Sequence, residues 1–251
     1  MSAVVTPLLR AELTKTFTLR SIQATLLAAL IVPPALAFAS GLAFDPDAST
    51  TAMFPIGSHG FEVAGFGQPL VILLAALITG SEYVDGQLRS TLLAAPRRGQ
   101  VFGTKLLVVG VLAAVVGLIA TSAAVLLKHA ALGVHGLFPD QFTTAMVWNL
   151  LGVAVNYTLM ALIAAGITVL ARSFIVTLVI LVPLVLGLTI SALGILPILK
   201  YLPDLAGIQL LTMYPGVGLL DPIPGGIVMA AWALTVTISA ATIFKLRDVG
   251  A

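Results

Sequence analysis

Residues 106–127 read LLVVGVLAAVVGLIATSAAVLL and contain no charged side chain. A helix needs about 20 mostly apolar residues to cross the roughly 30 Å hydrocarbon core of a bilayer. The run is continuously apolar, whereas a strand of a membrane β-barrel alternates apolar and polar residues over about 10 positions. Lipid offers the backbone no hydrogen-bond partner, so only helices and closed barrels span membranes. This stretch therefore predicts a transmembrane α-helix.

The composition of the whole chain indicates an integral membrane protein. Hydrophobic residues make up 59% of the 251 positions and charged residues 9%, against about 45–50% and 25% in soluble proteins. The net charge is only +2 and the basic residues are scattered, which argues against a nucleic-acid partner. The chain has no cysteine and three histidines, so it offers no disulfide, no thiolate metal site and no thiol nucleophile.

Five further segments are similar to residues 106–127. Together they predict an all-α integral membrane protein with six transmembrane helices in a single domain, residues 1–251. The predicted spans are 22–43, 63–80, 105–127, 145–170, 174–199 and 225–244. Almost no charge lies inside them, as expected because a charge at the bilayer centre is costly.

Lysine and arginine are distributed unevenly between the two sides of these spans. Ten of the 12 fall in the N-terminal segment, the loops after the second and fourth spans, and the C-terminus, and only Lys128 and Lys200 fall on the other side. Short cytoplasmic loops carry an excess of lysine and arginine. The distribution therefore predicts that both termini are cytoplasmic.

Two segments outside the spans are predicted to be helical. In the N-terminal segment, residues 1–20, apolar side chains recur at Leu8, Leu9, Leu13 and Phe17, although Glu12 interrupts them. This spacing predicts an amphipathic helix at the membrane interface, and the alternative is a solvated lead-in. The last outer loop, residues 197–224, is rich in proline and holds an apolar stretch too short to cross, which predicts a re-entrant helical segment.

The loop between the second and third spans, residues 81–100, is the longest polar stretch on the predicted cytoplasmic side. Leu88, Leu92 and Ala95 recur at helical spacing and give the loop one apolar face. Pro96 ends this short helix, because the residue before a proline is pushed out of the helical region. Such a helix could insert its apolar face into a groove on a partner protein; the alternative is an ordinary interfacial turn.

The motifs of the 81–100 loop resemble the cytoplasmic loop of the ABC type-2 permease family. Members of that family commonly show an acidic residue, a Gly-Thr-like turn, a leucine pair and a Pro-x-Arg ending, and Gln87 stands here where threonine is common. Glu12 and Lys15 look like the family's N-terminal Glu-x-x-Lys segment. By this resemblance, the ATPase-coupling residues are expected to be Glu82, Tyr83, Asp85, Gly86, Gln87, Leu88, Arg89, Leu92, Pro96, Arg97 and Arg98.

The resemblance implies the transmembrane subunit of an ATP-driven transporter, usually an exporter, in the plasma membrane of a bacterium. Residues 85–95 are then the coupling helix seated on an ATPase subunit, and the N-terminal segment with Glu12 and Lys15 is the connecting helix. The chain has no Gly-x-x-x-x-Gly-Lys-Ser/Thr phosphate loop, so ATP and Mg²⁺ are expected on two separate ATPase subunits. Two permeases, as a homodimer or with a related second permease, would flank one path among the membrane lipids.

Few polar residues lie at membrane depth. Asn149, Asn156 and Tyr157 fall in the fourth predicted span and are weak candidates for a substrate path, although hydrogen bonds between helices are the favoured explanation for the amides. No His-Glu-x-x-His or Gly-x-Ser-x-Gly motif is present. The sequence therefore predicts no catalytic residue, no metal site and no enzymatic activity on this chain.

Two alternative functions stay open, an ATP-independent secondary transporter and a non-transporting membrane scaffold. A proton- or ion-coupled transporter places ionisable residues near the midplane, and no acidic residue lies deep in a predicted span. The apolar spans favour a hydrophobic or amphiphilic substrate, such as a lipid-like molecule, an antibiotic or a hydrophobic peptide. The sequence does not choose among these substrates.

Overall fold

The computed structural model describes residues 2–45, 55–84 and 98–246. Within these ranges the chain forms helices and no β-strand, which confirms the predicted all-α fold. The α-helices are α1 (Ser2–Thr18), α2 (Arg20–Leu42), α3 (Ala64–Val84), α4 (Arg98–Leu132), α5 (Thr144–Ala171), α6 (Phe174–Pro183), α7 (Thr189–Ala192), α8 (Pro203–Ala206) and α9 (Pro222–Leu246). Six segments are long and apolar enough to cross a membrane: α2, α3, α4, α5, the unit from α6 to α7, and α9.

The helix α4 extends beyond the predicted third span at both ends. Lys105 and Lys128 bounded that prediction, yet both lie inside α4. Their charges are tolerated there because each ammonium group has an anionic partner within the protein. Lys105 Nζ lies 2.8 Å from a carboxylate oxygen of Glu12, and Lys128 Nζ lies 3.1 Å from one of Glu62.

The fifth span is shorter than predicted and is interrupted. Its helical path ends at Ala192 rather than at residue 199, and it passes through a π-helical turn over Leu184–Leu188. Pro183 removes a backbone donor just before this turn. Gly187 then adopts a φ of 113°, a conformation that residues with a side chain rarely take.

The centre of the bundle is formed by α3 and α5. In their most apolar stretches 61% and 67% of the residues are buried, compared with 17% in each of the fifth and sixth spans. α5 packs against α3, α4 and α9, while α2 packs mainly against α4. The fifth and sixth spans are therefore peripheral within one subunit, and their apolar side chains face outward.

Contacts between distant residues define the two ends of the bundle. At one end, called the Lys105 end below, Glu12 of α1 meets Lys105, and Arg98 Nη1 donates to the backbone carbonyl of Lys245, 3.5 Å away. At the other, the Lys128 end, Lys128 Nζ meets Glu62 and donates to Ser40 Oγ, 2.8 Å away. Glu12 of the N-terminal helix α1 and Lys245 at the end of α9 therefore lie at the same end of the bundle.

Candidate functional site

An ion pair is buried between three helices at the Lys105 end. Lys105 Nζ of α4 lies 2.8 Å from Glu12 Oε2 of α1 and 3.3 Å from the backbone carbonyl oxygen of Ile78 in α3. The Lys105 and Glu12 side chains are only 6% and 5% exposed. Lys15 Nζ, one turn along α1, lies 3.7 Å from the other carboxylate oxygen of Glu12. We call Glu12, Lys15, Ile78 and Lys105 the Lys105 cluster.

Burial makes this pair a strong constraint on the positions of the three helices. Taking each charge out of water costs several kcal/mol, which the partner offsets only when the two lie in close contact. Thr16 Oγ1 donates to the Glu12 carbonyl oxygen, 2.8 Å away, and Thr16 is itself buried. The face of α1 that contains Glu12 and Thr16 therefore packs on the bundle, while Phe17 is 48% exposed.

The Lys105 cluster lies close in sequence to both ends of the 81–100 loop. Ile78 precedes the loop on α3, and Lys105 follows the first residue of α4 by about two helical turns. The cluster therefore joins α1 to the two helices that flank the loop singled out in the sequence.

Only part of the predicted coupling set falls within the described residues. Glu82 and Tyr83 lie in the last turn of α3, and Arg98 begins α4 and contacts the end of α9. The others lie outside the described residues: Asp85, Gly86, Gln87, Leu88, Arg89, Leu92, Pro96 and Arg97. The structure thus brings Glu12, Lys15, Tyr83 and Arg98 to the same end of the bundle.

Sequence reasoning singled out Glu12 and Lys15 but missed their link to Lys105 and Ile78. Two signals were present in the sequence. Glu12 interrupts an apolar stripe, and Lys105 stands at the edge of an apolar span. A carboxylate and an ammonium group that both occupy unfavourable positions are candidates for pairing with each other, because a buried charge needs a partner.

The candidate path residues of α5 are engaged inside the subunit. Asn156 is fully buried; it accepts a hydrogen bond from Gln68 Nε2 at 2.9 Å and donates to the Gly207 carbonyl oxygen at 2.8 Å. Asn149 Nδ2 donates to the Leu211 carbonyl oxygen at 3.4 Å. The two amides thereby hold the segment of residues 203–211, which packs between α5 and α9.

Tyr157 is the third candidate path residue, and it is also buried. Its hydroxyl donates to the Ala64 carbonyl oxygen, 2.6 Å away, and the side chain is 1% exposed. The bond fixes the start of α3 against the middle of α5. Within one subunit, then, these three polar residues join helices to each other, and their assignment to a substrate path stays a prediction.

A buried carboxyl group lies where the 203–211 segment meets the interrupted fifth span. Asp204 is 5% exposed and accepts a hydrogen bond from the Thr189 hydroxyl. Its other carboxyl oxygen, Oδ1, has no hydrogen-bond partner among the described residues. Burial raises the pKa of Asp204 above its ordinary value, and the hydrogen bond from Thr189 opposes that shift without cancelling it. Asp204 is therefore a buried carboxyl group, although it lies in the last predicted outer loop.

Comparison with known proteins adds one finding. A family model described as ABC-2 family transporter protein matches residues 8–191, which is well over half of the chain. The matched range begins inside α1 and ends inside α7, so it includes the Lys105 cluster, the 81–100 loop, the first four spans and nearly all of the fifth. No curated protein matches the chain.

Proposed function

The chain belongs to the ABC-2 family of transporter proteins, and from this premise we propose that it is the permease subunit of an ATP-driven exporter, coupled to a separate ATPase through the 81–100 loop. Family membership makes it a multi-pass membrane transport subunit and implies association with an ABC ATPase. The direction of transport, the route of coupling and the substrate are parts of the proposal.

The observation that carries the coupling proposal is the Lys105 cluster. The ion pair between Glu12 and Lys105 joins α1 to α4, and the bond from Lys105 to the Ile78 carbonyl adds α3. These are the two helices that flank the 81–100 loop and the helix that precedes the first span. A force applied to the loop by a partner protein would therefore be transmitted to the first three spans as a unit.

The sequence of the loop supplies the contact with that partner. Leu88 and Leu92 lie one turn apart on the apolar face of the predicted helix, and Glu82 and Arg89 are the charges near it. An amphipathic helix of this kind binds by inserting its apolar face into a groove. ATP and Mg²⁺ bind the partner in this scheme, since the chain has no phosphate loop.

The positive-inside distribution supports a cytoplasmic location for the Lys105 end. The N-terminal helix α1, the helix ends that flank the 81–100 loop and the end of α9 lie at this end, and ten of the 12 lysines and arginines are predicted on this side. An ATPase in the cytoplasm would meet the loop directly. The resemblance to the ABC type-2 permease family also supports a location in the plasma membrane of a bacterium.

The opposite end would then face outward and be closed by the 203–211 segment. Asn156, which binds the Gly207 carbonyl, lies 12 residues after Thr144 at the start of α5; this is about 18 Å along the helix axis. A loop that reaches so far between α5 and α9 has the geometry of a re-entrant segment. The peripheral fifth and sixth spans leave apolar surface for a second permease subunit, and the apolar helices favour a hydrophobic or amphiphilic substrate.

A double substitution in the loop tests this function. Leu88→Asp together with Leu92→Asp places two charges on the proposed contact, and the loss of large buried anchors typically costs about 2–5 kcal/mol. The variant should reach the membrane in normal amounts but fail to co-purify with its ATPase and fail to transport. The matched control is Arg89→Ala, which should retain the partner because an exposed ion pair contributes only about 0–1 kcal/mol.

Retention of the partner and normal transport by the double variant would show that the loop is only a connector. If the wild-type chain also lacked an ATPase partner, the proposed permease would give way to a secondary transporter or a membrane scaffold.

A further inference from the structure

Two polar contacts of different chemistry hold the segment of residues 203–211. On one side, Asn156 of α5 donates to the Gly207 carbonyl oxygen, 2.8 Å away. On the other side, Asp204 shares a hydrogen bond with Thr189 of the fifth span. A carboxyl group changes its charge with pH, whereas an amide does not. Of these two contacts, therefore, only the one with the fifth span depends on a proton.

The hydrogen bonds around Thr189 require a proton on Asp204. The Thr189 hydroxyl has one proton, and its oxygen contacts both Asp204 and the Leu184 carbonyl oxygen, the latter at 3.3 Å. If the carboxyl group is ionised, Thr189 donates to it and the contact with Leu184 has no proton. If it is protonated, Asp204 donates to Thr189, and Thr189 donates to Leu184. Both contacts are hydrogen bonds at the same time only in the protonated form.

No cation compensates an ionised Asp204 among the described residues. Helix α8, which contains Asp204, packs against α9, α7, the π-helical turn of the fifth span and the turns 197–201 and 208–210. The titratable groups on these elements are Lys200, Tyr201 and Lys245, and none of them pairs with Asp204 in the described part of the chain. Asp204 Oδ1 has no hydrogen-bond partner there either. An ionised carboxylate in this position is costly, because a buried charge needs a partner.

The part of the fifth span that contacts Asp204 is separated from α6 by an irregular turn. Helix α7 follows the π-helical turn Leu184–Leu188, in which Gly187 has a φ of 113°. Such turns interrupt the regular hydrogen bonds of a helix and are frequent at functional sites. In the most apolar stretch of this span only 17% of the residues are buried, so little packing within the subunit opposes a displacement of α7.

We propose that Asp204 is a proton-operated latch that fixes α7 to the 203–211 segment. With its proton, the carboxyl group completes the two hydrogen bonds at Thr189 and stays buried. Without it, the charge moves into water, and α7 moves away about the Leu184–Leu188 turn while Asn156 keeps the segment on α5. The proton enters and leaves during brief local openings of this peripheral span. The inference does not rest on the proposed ATPase coupling.

The test measures distances within the purified full-length chain by pulsed electron paramagnetic resonance. The chain contains no cysteine, so spin labels attach only at introduced cysteines. One label pair is Ile190→Cys on α7 with Val147→Cys on α5, and the reference pair is Val179→Cys on α6 with the same α5 label. The three side chains are 44%, 53% and 67% exposed, respectively. Labelled chain is diluted with unlabelled chain in lipid nanodiscs, so that each distance belongs to one subunit.

In the unsubstituted latch, the distance between Ile190 and Val147 should gain a second population as the pH rises from about 4 to about 8, whereas the distance between Val179 and Val147 should stay constant. For one proton, the ratio of docked to undocked chains falls by up to about tenfold per pH unit between the ordinary and the raised pKa of Asp204. This direction follows because the docked state binds the proton more tightly.

Three variants identify the group that titrates and its partner. Asp204→Asn keeps a donor toward Thr189 at every pH, so α7 should stay docked throughout. Asp140→Asn removes an exposed carboxyl group at the same end of the bundle and should keep the pH response. Thr189→Val keeps the shape of the side chain but removes the hydroxyl, and it should increase the undocked population at both pH values.

A distance between Ile190 and Val147 that does not change with pH would overturn the latch. A response in Asp204→Asn equal to that of the unsubstituted chain would assign it to another group and would overturn the latch as well. An equal change at Val179 would show that the whole span moves, which contradicts motion about the Leu184–Leu188 turn. Normal docking in Thr189→Val would contradict the hydrogen bonds through Thr189.

Discussion

Glu12 and Lys105 are 93 positions apart in the sequence, and their charged groups lie 2.8 Å apart in the bundle. Neither charge could be buried alone, because the attraction of a close partner is needed to offset the loss of water. Lys128 at the opposite end follows the same rule, with Glu62 and Ser40 as its partners. At the scale of the residue, the charges near the span ends therefore act as cross-links between helices.

The ion pair makes a prediction for single and double variants. Glu12→Gln or Lys105→Met removes the nearest partner of a buried charge and should destabilise the protein by up to about 3–5 kcal/mol. The double variant Glu12→Leu, Lys105→Met should recover most of this loss, since a buried pair can often be replaced by apolar groups. The measurement is the midpoint of thermal unfolding in detergent.

The matched control for this prediction is Lys15→Met. Lys15 is 37% exposed and 3.7 Å from Glu12, so its contribution is screened and should be no more than about 1 kcal/mol. If the double variant lost as much stability as the two single variants together, Glu12 and Lys105 would not cross-link α1 and α4.

Asp204 predicts a dependence of stability on pH. The folded protein binds the carboxyl proton more tightly than the unfolded chain, whose carboxyl titrates near the ordinary value of 3.8. This contribution to stability is fully present below that value and is lost as the pH rises through the raised pKa of the folded state. Asp204→Asn is neutral at every pH and should show no such loss.

The measurement is the unfolding midpoint of the wild type and of Asp204→Asn between about pH 4 and pH 8. It shows whether Asp204 makes stability depend on pH. Parallel curves would show that Asp204 does not titrate in that window. Stability that rises with pH only in the wild type would give the wrong sign and would contradict the buried carboxyl.

At the scale of the element, hydropathy was sufficient to locate all six spans but not to predict where each helix ends or is interrupted. The α4 extension depends on partners of Lys105 and Lys128 that are far away in the chain, and no local pattern specifies them. The interruption at Leu184–Leu188 was signalled by Pro183 and Gly187, yet a proline within a membrane helix does not by itself say whether the helix bends or ends. The apolar face at Leu88 and Leu92 stays a prediction, since those residues lie outside the described part of the chain.

The packing of the 203–211 segment makes a prediction at this scale. A Cβ on Gly207 would lie 2.7 Å from Asn156 Nδ2 and closer still to Met229 Sδ, so Gly207→Ala should displace the segment from α5 and lower the unfolding midpoint. Gly194→Ala is the matched control, because a Cβ there meets nothing within 4 Å. Equal midpoints for the two variants would mean that the segment does not pack between α5 and α9.

At the scale of the whole molecule, the two ends of the bundle differ in what holds them together. At the Lys105 end, α1, the helix ends that flank the 81–100 loop and the end of α9 lie around a buried ion pair, whereas the 203–211 segment lies toward the Lys128 end. The lysine and arginine distribution predicts that the Lys105 end is the cytoplasmic one, and that orientation stays a prediction.

We propose that this chain is a permease whose energy comes from a separate ATPase bound at the 81–100 loop. The most direct measurement is affinity purification of the full chain from the membranes of its own cells, followed by identification of the bound proteins and an ATP hydrolysis assay. We expect that an ABC ATPase co-purifies in stoichiometric amount and that the complex hydrolyses ATP. The chain stripped of its partner should neither bind nor hydrolyse ATP. Nucleotide binding by the isolated chain, or a purified chain with no ATPase attached, would contradict the proposed coupling.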